Sequence, residues 1–204
     1  MTDSDTDKNL AHAAAMKDLK AERDEMMRTK TERHGLLIVH TGDGKGKSTA
    51  AFGMVARALG WGHKVGIVQY IKGKWKTGER QFFAKFPDQV RYLVMGEGFT
   101  WETQDRARDI AAAQAAWASS KEMIADPALN FVLLDELNIA LRYEYLDIKD
   151  VLAALAARPV DKHICITGRN AHPDLIEMAD LVTEMRAIKH PFEKGMKVQK
   201  GVDF

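Results

Sequence analysis

Short apolar runs recur along the chain after about residue 35, and each is bounded by glycine or polar residues. Runs of this kind are typical of strands buried on both faces of a parallel sheet. They predict strands at residues 35–40, 64–70, 91–95, 130–135, 163–167 and 181–185.

The segments between these strands predict helices, at residues 48–59, 103–125 and 147–157 and from Pro173 onwards. Thr103 is predicted to be the N-cap of the long helix, with Asp105 in its first turn. Asp147 is predicted to cap the next helix, and Pro173 suits a first helical position. Because strands and helices alternate, the predicted fold class is α/β, a parallel sheet with helices on both faces.

The pattern of charged and apolar residues at positions 1–34 differs from that of the remainder of the chain. Charges of both signs alternate there, with a weak stripe of Leu and Met side chains among them. This pattern favours a helical arm, and a frayed, solvated tail is the alternative. The predicted organisation is therefore a helical arm at residues 1–34 and one domain at residues 35–204, without an internal repeat.

Composition narrows the class of protein. The 204 residues carry a formal net charge of +1, with 46% hydrophobic and 29% charged residues, which is ordinary for a globular protein. A nucleic-acid partner is not expected, because proteins that bind nucleic acids usually carry an excess of basic residues that neutralises the phosphates. The single cysteine excludes an internal disulfide. No apolar run approaches the roughly 20 residues that span a bilayer, and we expect a cytoplasmic protein without a membrane partner.

The strongest chemical signal is the glycine-rich segment between the first strand and its helix, TGDGKGKS at residues 41–48. Glycines let backbone N–H groups turn inward, and the helix N-terminus adds its positive dipole end. Lys47 can reach phosphate oxygens and Ser48 can bind a metal ion. The segment therefore predicts a phosphate-binding loop.

This loop departs from the general pattern G-x-x-x-x-G-K-[ST]. The first glycine position is Thr41, and the nearest glycine, Gly42, lies one residue closer to Gly46. Such a tighter turn need not hold a triphosphate in the register that is used for attack at the terminal phosphorus. Asp43 is unusual in a phosphate cradle, where a carboxylate is repulsive unless it points away or faces the metal ion.

Two carboxylates, Asp135 and Glu136, follow the apolar run at residues 131–134. Ligands bind at the carboxyl edge of open parallel sheets, and Mg²⁺ takes carboxylate and phosphate oxygens. Together with the loop, the pair predicts a magnesium site. The sequence leaves open which of the two carboxylates contacts the ion. The alternative to a magnesium site is a strand-end pair that caps the next helix.

Phe99 and Trp101 lie in a glycine-flanked segment before the long helix. Such a segment can present flat side chains to a large flat ligand, although buried loop anchors are commoner.

Six segments, in this order, resemble the ATP-dependent corrinoid adenosyltransferases of the P-loop type: HTGDGKGKSTAAFG, VGIVQYIKGKWKTGE, GEGFTWET, VLLDELNIAL, ITGRNAHPDLIEMADLVTEM and KHPFEKGMKVQKGVDF. The resemblance covers nearly all of residues 35–204 and implies a P-loop NTPase-like, RecA-like sheet. The family shares the shorter loop, but it more often has Asn and Thr where this chain has Asp43 and Ser48.

The resemblance implies that the cobalt(I) of a reduced corrinoid attacks the 5′-carbon of ATP and that triphosphate leaves. The implied nucleotide-binding residues are Gly42, Asp43, Gly44, Lys45, Gly46, Lys47, Ser48, Thr49, Arg169 and Asn170. The implied magnesium ligands are Ser48 and Glu136, with Asp135. Lys47, Phe99 and Trp101 would be catalytic, the two aromatic residues by covering the lower face of the corrinoid so that cobalt(II) loses its axial ligand and is easier to reduce.

The resemblance further implies a reductase that supplies the electron, a homodimer, and an arm that closes over the corrinoid. The main alternative is a small kinase or ATPase that splits the terminal phosphate, which the acidic pair fits and the aromatic segment does not. A nucleic-acid-binding ATPase and a non-catalytic nucleotide-binding regulator are the other classes considered. The near-neutral charge weighs against the first, and the metal-ready acidic pair weighs against the second.

Overall fold

The computed structural model describes residues 3–70, 77–94 and 105–203. The chain forms two compact units, Met1–Arg33 and His34–Phe204. The first contains helix α1 (Asp3–Arg28), whose side chains are exposed from residue 5 onwards. The predicted role of residues 1–34 as a lid stays a prediction.

The second unit is built on a sheet in which every paired strand is parallel. Its strands are β1 (Leu37–Thr41), β2 (Val65–Gln69), β3 (Val90–Val94), β4 (Phe131–Asp135), β5 (His163–Thr167) and β6 (Leu181–Glu184). Their order across the sheet is β3-β2-β4-β5-β1-β6. The carboxyl ends of all these strands therefore meet at one edge, as ligand sites in open α/β sheets require.

Helices connect the strands: α2 (Lys47–Gly60), α3 (Gly78–Phe83), α4 (Arg106–Ala125), α5 (Leu137–Arg142), α6 (Ile148–Ala156) and α7 (Pro173–Met178), with a 3₁₀ turn at Pro191–Lys194. In the described ranges, no helix is long and apolar enough to cross a membrane.

Two buried clusters cover opposite faces of the sheet. Phe131 and Leu133 of β4 pack with α2 and α3, whereas Val132 and Leu134 pack with α4 to α7. Leu133 and Leu134 are fully buried, and burying such a side chain stabilises a fold by roughly 1.5–3 kcal/mol. The alternation confirms the predicted α/β fold with helices on both faces, and with the phosphate loop it makes the unit P-loop-like.

The predicted N-cap of the long helix was wrong by two residues. Asp105 is the N-cap of α4, and its carboxylate accepts from the backbone N–H of Arg108 at 3.1 Å; Thr103 lies outside the described residues. Both residue types cap helices well, so the pattern alone could not choose between them. The predictions for Asp147 as an N-cap and Pro173 at the first helical position are confirmed.

His163 begins β5 at the amino edge of the sheet, opposite the strand ends described above. Its Nδ1 accepts from the backbone N–H of Leu36 at 3.0 Å, so this nitrogen carries no proton. Burial lowers the pKa of His163 from its ordinary value of 6.5, and the nearby His63 lowers it further. The fold therefore favours the neutral imidazole.

We predict that this histidine makes the fold acid-sensitive. The unfolded chain takes up the proton near pH 6.5 and the folded chain only at lower pH, so the free energy of unfolding should rise with pH through this window. Denaturant unfolding between pH 5 and pH 7.5 should show a shallower rise in His163→Gln than in the wild type. The control His12→Gln changes an exposed residue of α1; if its slope falls as much as that of His163→Gln, the assignment fails.

Candidate functional site

The predicted phosphate loop joins β1 to α2, and two of its glycines are required by backbone geometry. Gly42 has φ 93° and Gly46 has φ 105°, values that side-chain-bearing residues rarely adopt. A Cβ at Gly42 would also lie 2.4 Å from the carbonyl oxygen of Met185. The loop can therefore close tightly only with glycine at these positions.

The backbone that follows β6 holds the loop in place. Gly44 N–H donates to Met185 O at 2.7 Å, and Met185 N–H donates to Thr41 O at 2.8 Å. Gly46 is the N-cap of α2 and provides no side-chain cap. The first N–H groups of α2 are thus available to an anion at the helix N-terminus.

Lys47 folds back over this loop. Its side chain is buried, and its Nζ donates to the carbonyl oxygens of Gly42 at 2.7 Å and Gly44 at 2.6 Å. Burial lowers the pKa of Lys47, while the Glu136 carboxylate opposes this shift and the Arg169 guanidinium adds to it. Glu136 and Arg169, which the sequence analysis selected separately, thus both influence the pKa of Lys47.

The remaining loop residues differ in exposure. Asp43, Lys45 and Thr49 are exposed and Ser48 is half-buried. An exposed Asp43 carboxylate lies in solvent, which limits its repulsion of a bound phosphate. The Lys45 ammonium is paired with the carboxylate of Asp203 from the C-terminal segment.

Asp135 ends β4 with its side chain fully buried. Its Oδ1 accepts from the Thr167 hydroxyl at 2.8 Å, and its Oδ2 accepts from Gln69 Nε2 at 2.7 Å. Both partners end neighbouring strands, β5 and β2. A buried carboxylate is costly without such donors, and strand ends supply them here.

Glu136 follows in a left-handed conformation with φ 65°. Its backbone N–H donates to the Thr167 hydroxyl oxygen at 2.9 Å. Its half-buried side chain acts on the pKa of Lys47, which places its charge on the phosphate-loop side of the sheet edge.

The segment after β5 is fixed from two directions. Asn138 Nδ2 donates to Gly168 O at 3.0 Å, and Ala171 N–H donates to Thr41 Oγ1 at 3.0 Å. Between these anchors, the Arg169 and Asn170 side chains are exposed. Thr41 occupies the position where the general loop pattern has glycine. Its hydrogen bond thus connects the phosphate loop to the segment of Arg169 and Asn170, which are both predicted to bind nucleotide.

The structure brings together the predicted loop, the acidic pair and Arg169, whereas Phe99 and Trp101 lie outside the described residues. Sequence reasoning missed the roles of Gln69, Asn138 and Thr167. A polar residue that ends an apolar strand run is the signal that could have identified Gln69 and Thr167. The buried Asn138 has no such signal.

Comparisons with known proteins identify the family that this chain resembles. The family model described as ATP:corrinoid adenosyltransferase BtuR/CobO/CobP matches residues 33–204. A corrinoid adenosyltransferase of Pseudomonas aeruginosa is 56% identical over 198 residues, covering 97% of this chain and 98% of that protein. The corrinoid adenosyltransferase CobA of Salmonella typhimurium is 50% identical over 173 residues, covering 85% and 87%. The flagellar accessory protein FlaH of Methanocaldococcus jannaschii has a TM-score of 0.47 and 14% identity, over 74% of this chain and 71% of its own.

We predict that Asp203 competes with nucleotide for Lys45. Asp203→Asn should strengthen Mg·ATP binding about two- to five-fold at low salt, because a surface ion pair of this kind no longer holds the ammonium. The gain should shrink at high salt. Calorimetric titration at both salt concentrations measures it. Glu193→Gln removes a charge from the same C-terminal segment at an exposed side chain and should change little; weaker binding in Asp203→Asn alone would contradict the prediction.

Proposed function

The chain belongs to the ATP:corrinoid adenosyltransferase family, and we propose that its sheet edge holds ATP so that a reduced corrinoid attacks the ribose. The observation that carries this proposal is the closed phosphate loop, in which Gly42 and Gly46 have positive φ and Lys47 Nζ donates to loop carbonyl oxygens, within the segment that matches the family. The reaction transfers the 5′-deoxyadenosyl group of ATP to cobalt(I).

The bond changes set the task of these residues. The cobalt(I) electron pair forms a bond to the 5′-carbon, the bond from that carbon to the α-phosphate oxygen breaks, and triphosphate leaves with the bonding pair. Lys47, the backbone N–H groups of the loop and Arg169 are suited to stabilise the charge that the leaving group gains. Orientation of the 5′-carbon towards the cobalt provides the remaining rate enhancement.

The donor set fits magnesium. The Ser48 hydroxyl in the first turn of α2 and the Glu136 carboxylate after β4 are hard oxygen ligands, and Mg²⁺ commonly completes such a set with phosphate oxygens and water. When bound, the ion would neutralise charge on the triphosphate. We assign the direct contact to Glu136, because Thr167 and Gln69 already hold both carboxylate oxygens of Asp135.

The corrinoid side of the proposal rests on Phe99 and Trp101. Apolar rings against the lower face of the corrinoid would keep water and the nucleotide base from the cobalt(II), which makes its reduction easier. A reductase would then supply the electron. A homodimer in the cytoplasm, where ATP and reductants are available, completes the proposal.

A kinase or ATPase is not favoured. Such an enzyme would need the terminal phosphorus in line with an acceptor, whereas the relatives at 56% and 50% identity are corrinoid adenosyltransferases.

We predict that triphosphate and an adenosylated corrinoid form in equal amounts from ATP and chemically reduced corrinoid, because attack at the 5′-carbon leaves all three phosphates joined. Phosphorus NMR identifies the leaving group, and loss of the product spectrum on illumination identifies the cobalt–carbon bond. Lys47→Ala should abolish both products, whereas Lys85→Ala, at an exposed lysine outside the site, should retain them. ADP formed in step with turnover, without a photolabile product, would replace this function by phosphoryl transfer.

We also predict that Phe99→Ala with Trp101→Ala impairs adenosylation from cobalt(II) at least about ten-fold more than from pre-reduced cobalt(I), because the pair acts on reduction and not on alkyl transfer; ten-fold corresponds to about 1.4 kcal/mol of barrier. Initial rates from the two starting states measure the difference. Trp61→Ala, at an 80% exposed tryptophan, is the control. Equal losses from both states would mean that the two rings only anchor their segment.

A further inference from the structure

Gln69 and Tyr92 extend the hydrogen bonds around Asp135 to the edge of the sheet. The Tyr92 hydroxyl donates to Gln69 Oε1 at 2.7 Å, and Gln69 Nε2 donates to Asp135 Oδ2 at the same distance. The Gln69 side chain is 1% exposed. Together with Thr167, these residues form a continuous polar chain across β3, β2, β4 and β5.

The direction of each hydrogen bond in this chain is set by chemistry. A carboxylate oxygen accepts, so the amide nitrogen of Gln69 must face Asp135 and its oxygen must face Tyr92. The tyrosine hydroxyl is therefore the donor. Burial raises the pKa of Tyr92, and the Asp135 charge raises it further, so that this proton is retained.

The ring of Tyr92 is held on its other side by the helix that begins at the phosphate loop. Its centroid lies 6.4 Å from that of Phe52 in α2, with the ring planes 12° apart. The tyrosine end of the chain of hydrogen bonds thus lies between β3 and α2, and the Gln69 side chain, which is buried, has little freedom to rotate.

The other end of the chain reaches Glu136. Thr167 donates to Asp135 Oδ1 and accepts from the Glu136 backbone N–H, and that N–H belongs to a residue in the left-handed region. This conformation is unfavourable in a residue other than glycine. Loss of the hydrogen bonds around Asp135 would therefore release Glu136 first.

We propose that Gln69 and Tyr92 are positioning residues, which act through Asp135 and Thr167 to hold the Glu136 carboxylate where it meets the metal–triphosphate complex. The inference rests on the proposed function, because it takes Glu136 as the carboxylate that contacts the metal. Neither residue is required to touch substrate. Partners behind a metal ligand are typically worth 10- to 100-fold in metal affinity.

The test is an electron paramagnetic resonance titration of Mn²⁺·ATP with protein, beside ATP binding in EDTA. Tyr92→Phe keeps the ring against Phe52 and loses only the hydroxyl. It should weaken binding of Mn²⁺·ATP about ten-fold and broaden the bound Mn²⁺ spectrum, with metal-free ATP binding unchanged. Gln69→Met should do the same, and combining both changes should add little, because they interrupt one chain.

The matched control is Tyr70→Phe. Tyr70 is a buried tyrosine, whereas Tyr92 is half-buried, and the Tyr70 hydroxyl lies 2.7 Å from Ser120 Oγ on the other face of the sheet. The Tyr70→Phe variant should lower the melting temperature as much as Tyr92→Phe does and leave Mn²⁺·ATP binding unchanged. Equal Mn²⁺·ATP affinities for the two variants would overturn the positioning role.

Glu136→Gln separates this inference from the proposed function. If Glu136→Gln loses Mn²⁺·ATP affinity while Tyr92→Phe and Gln69→Met retain it, only the positioning role is wrong. If Glu136→Gln binds Mn²⁺·ATP like the wild type, the metal assignment in the proposed function is wrong, and the role of Gln69 and Tyr92 towards Glu136 falls with it.

Discussion

The burial of the Asp135 carboxylate is the constraint on which the candidate site depends. A carboxylate that is withdrawn from water must be surrounded by donors, and at this position only the ends of neighbouring strands can supply them. Gln69 and Thr167 do so from β2 and β5, which fixes the register in which these strands reach the carboxyl edge. Thr167 in turn accepts a hydrogen bond from the backbone N–H of Glu136. The position of Glu136 therefore also depends on the buried carboxylate. The buried Asp135 thus helps to determine the position of Glu136 and need not itself contact the substrate.

The sheet could be predicted because its strands are buried on both faces, which leaves short apolar runs that periodicity detects. The short helices α3 and α5 were not predicted. Helix α5 begins directly after Glu136, without a loop, and only Asp135 and Glu136 separate its apolar residues from the run of β4, so the sequence has no turn signal between strand and helix. At α4, Thr103 and Asp105 both fit a cap, and only the observed contact to Arg108 selects Asp105.

The same distinction between local and distant contacts separates the predicted and missed parts of the site. The phosphate loop is one continuous segment whose glycines and lysine act within a few residues of one another, so its sequence suffices. The contact of Gln69 with Asp135 joins residues 66 positions apart; the polar end of the β2 run is visible in the sequence, but its partner is not. No single segment contains that information. For the same reason the sequence left Asp135 and Glu136 equivalent, whereas the hydrogen bonds distinguish them.

Thr41 belongs to the local phosphate loop and also makes a distant contact, with the backbone N–H of Ala171. A glycine at this position would restore the general pattern, but it would lack the hydroxyl that accepts from the Ala171 N–H. With threonine, the shortened loop and the segment that carries Arg169 are held as one piece, and Asn138 secures that segment at Gly168. A kinase must let its terminal phosphate depart from the other two, whereas a reaction at the 5′-carbon must hold the triphosphate whole while the ribose moves away. A loop that is tied rigidly to a cationic neighbour suits the second requirement, because the charge of the leaving group develops within a fixed set of donors.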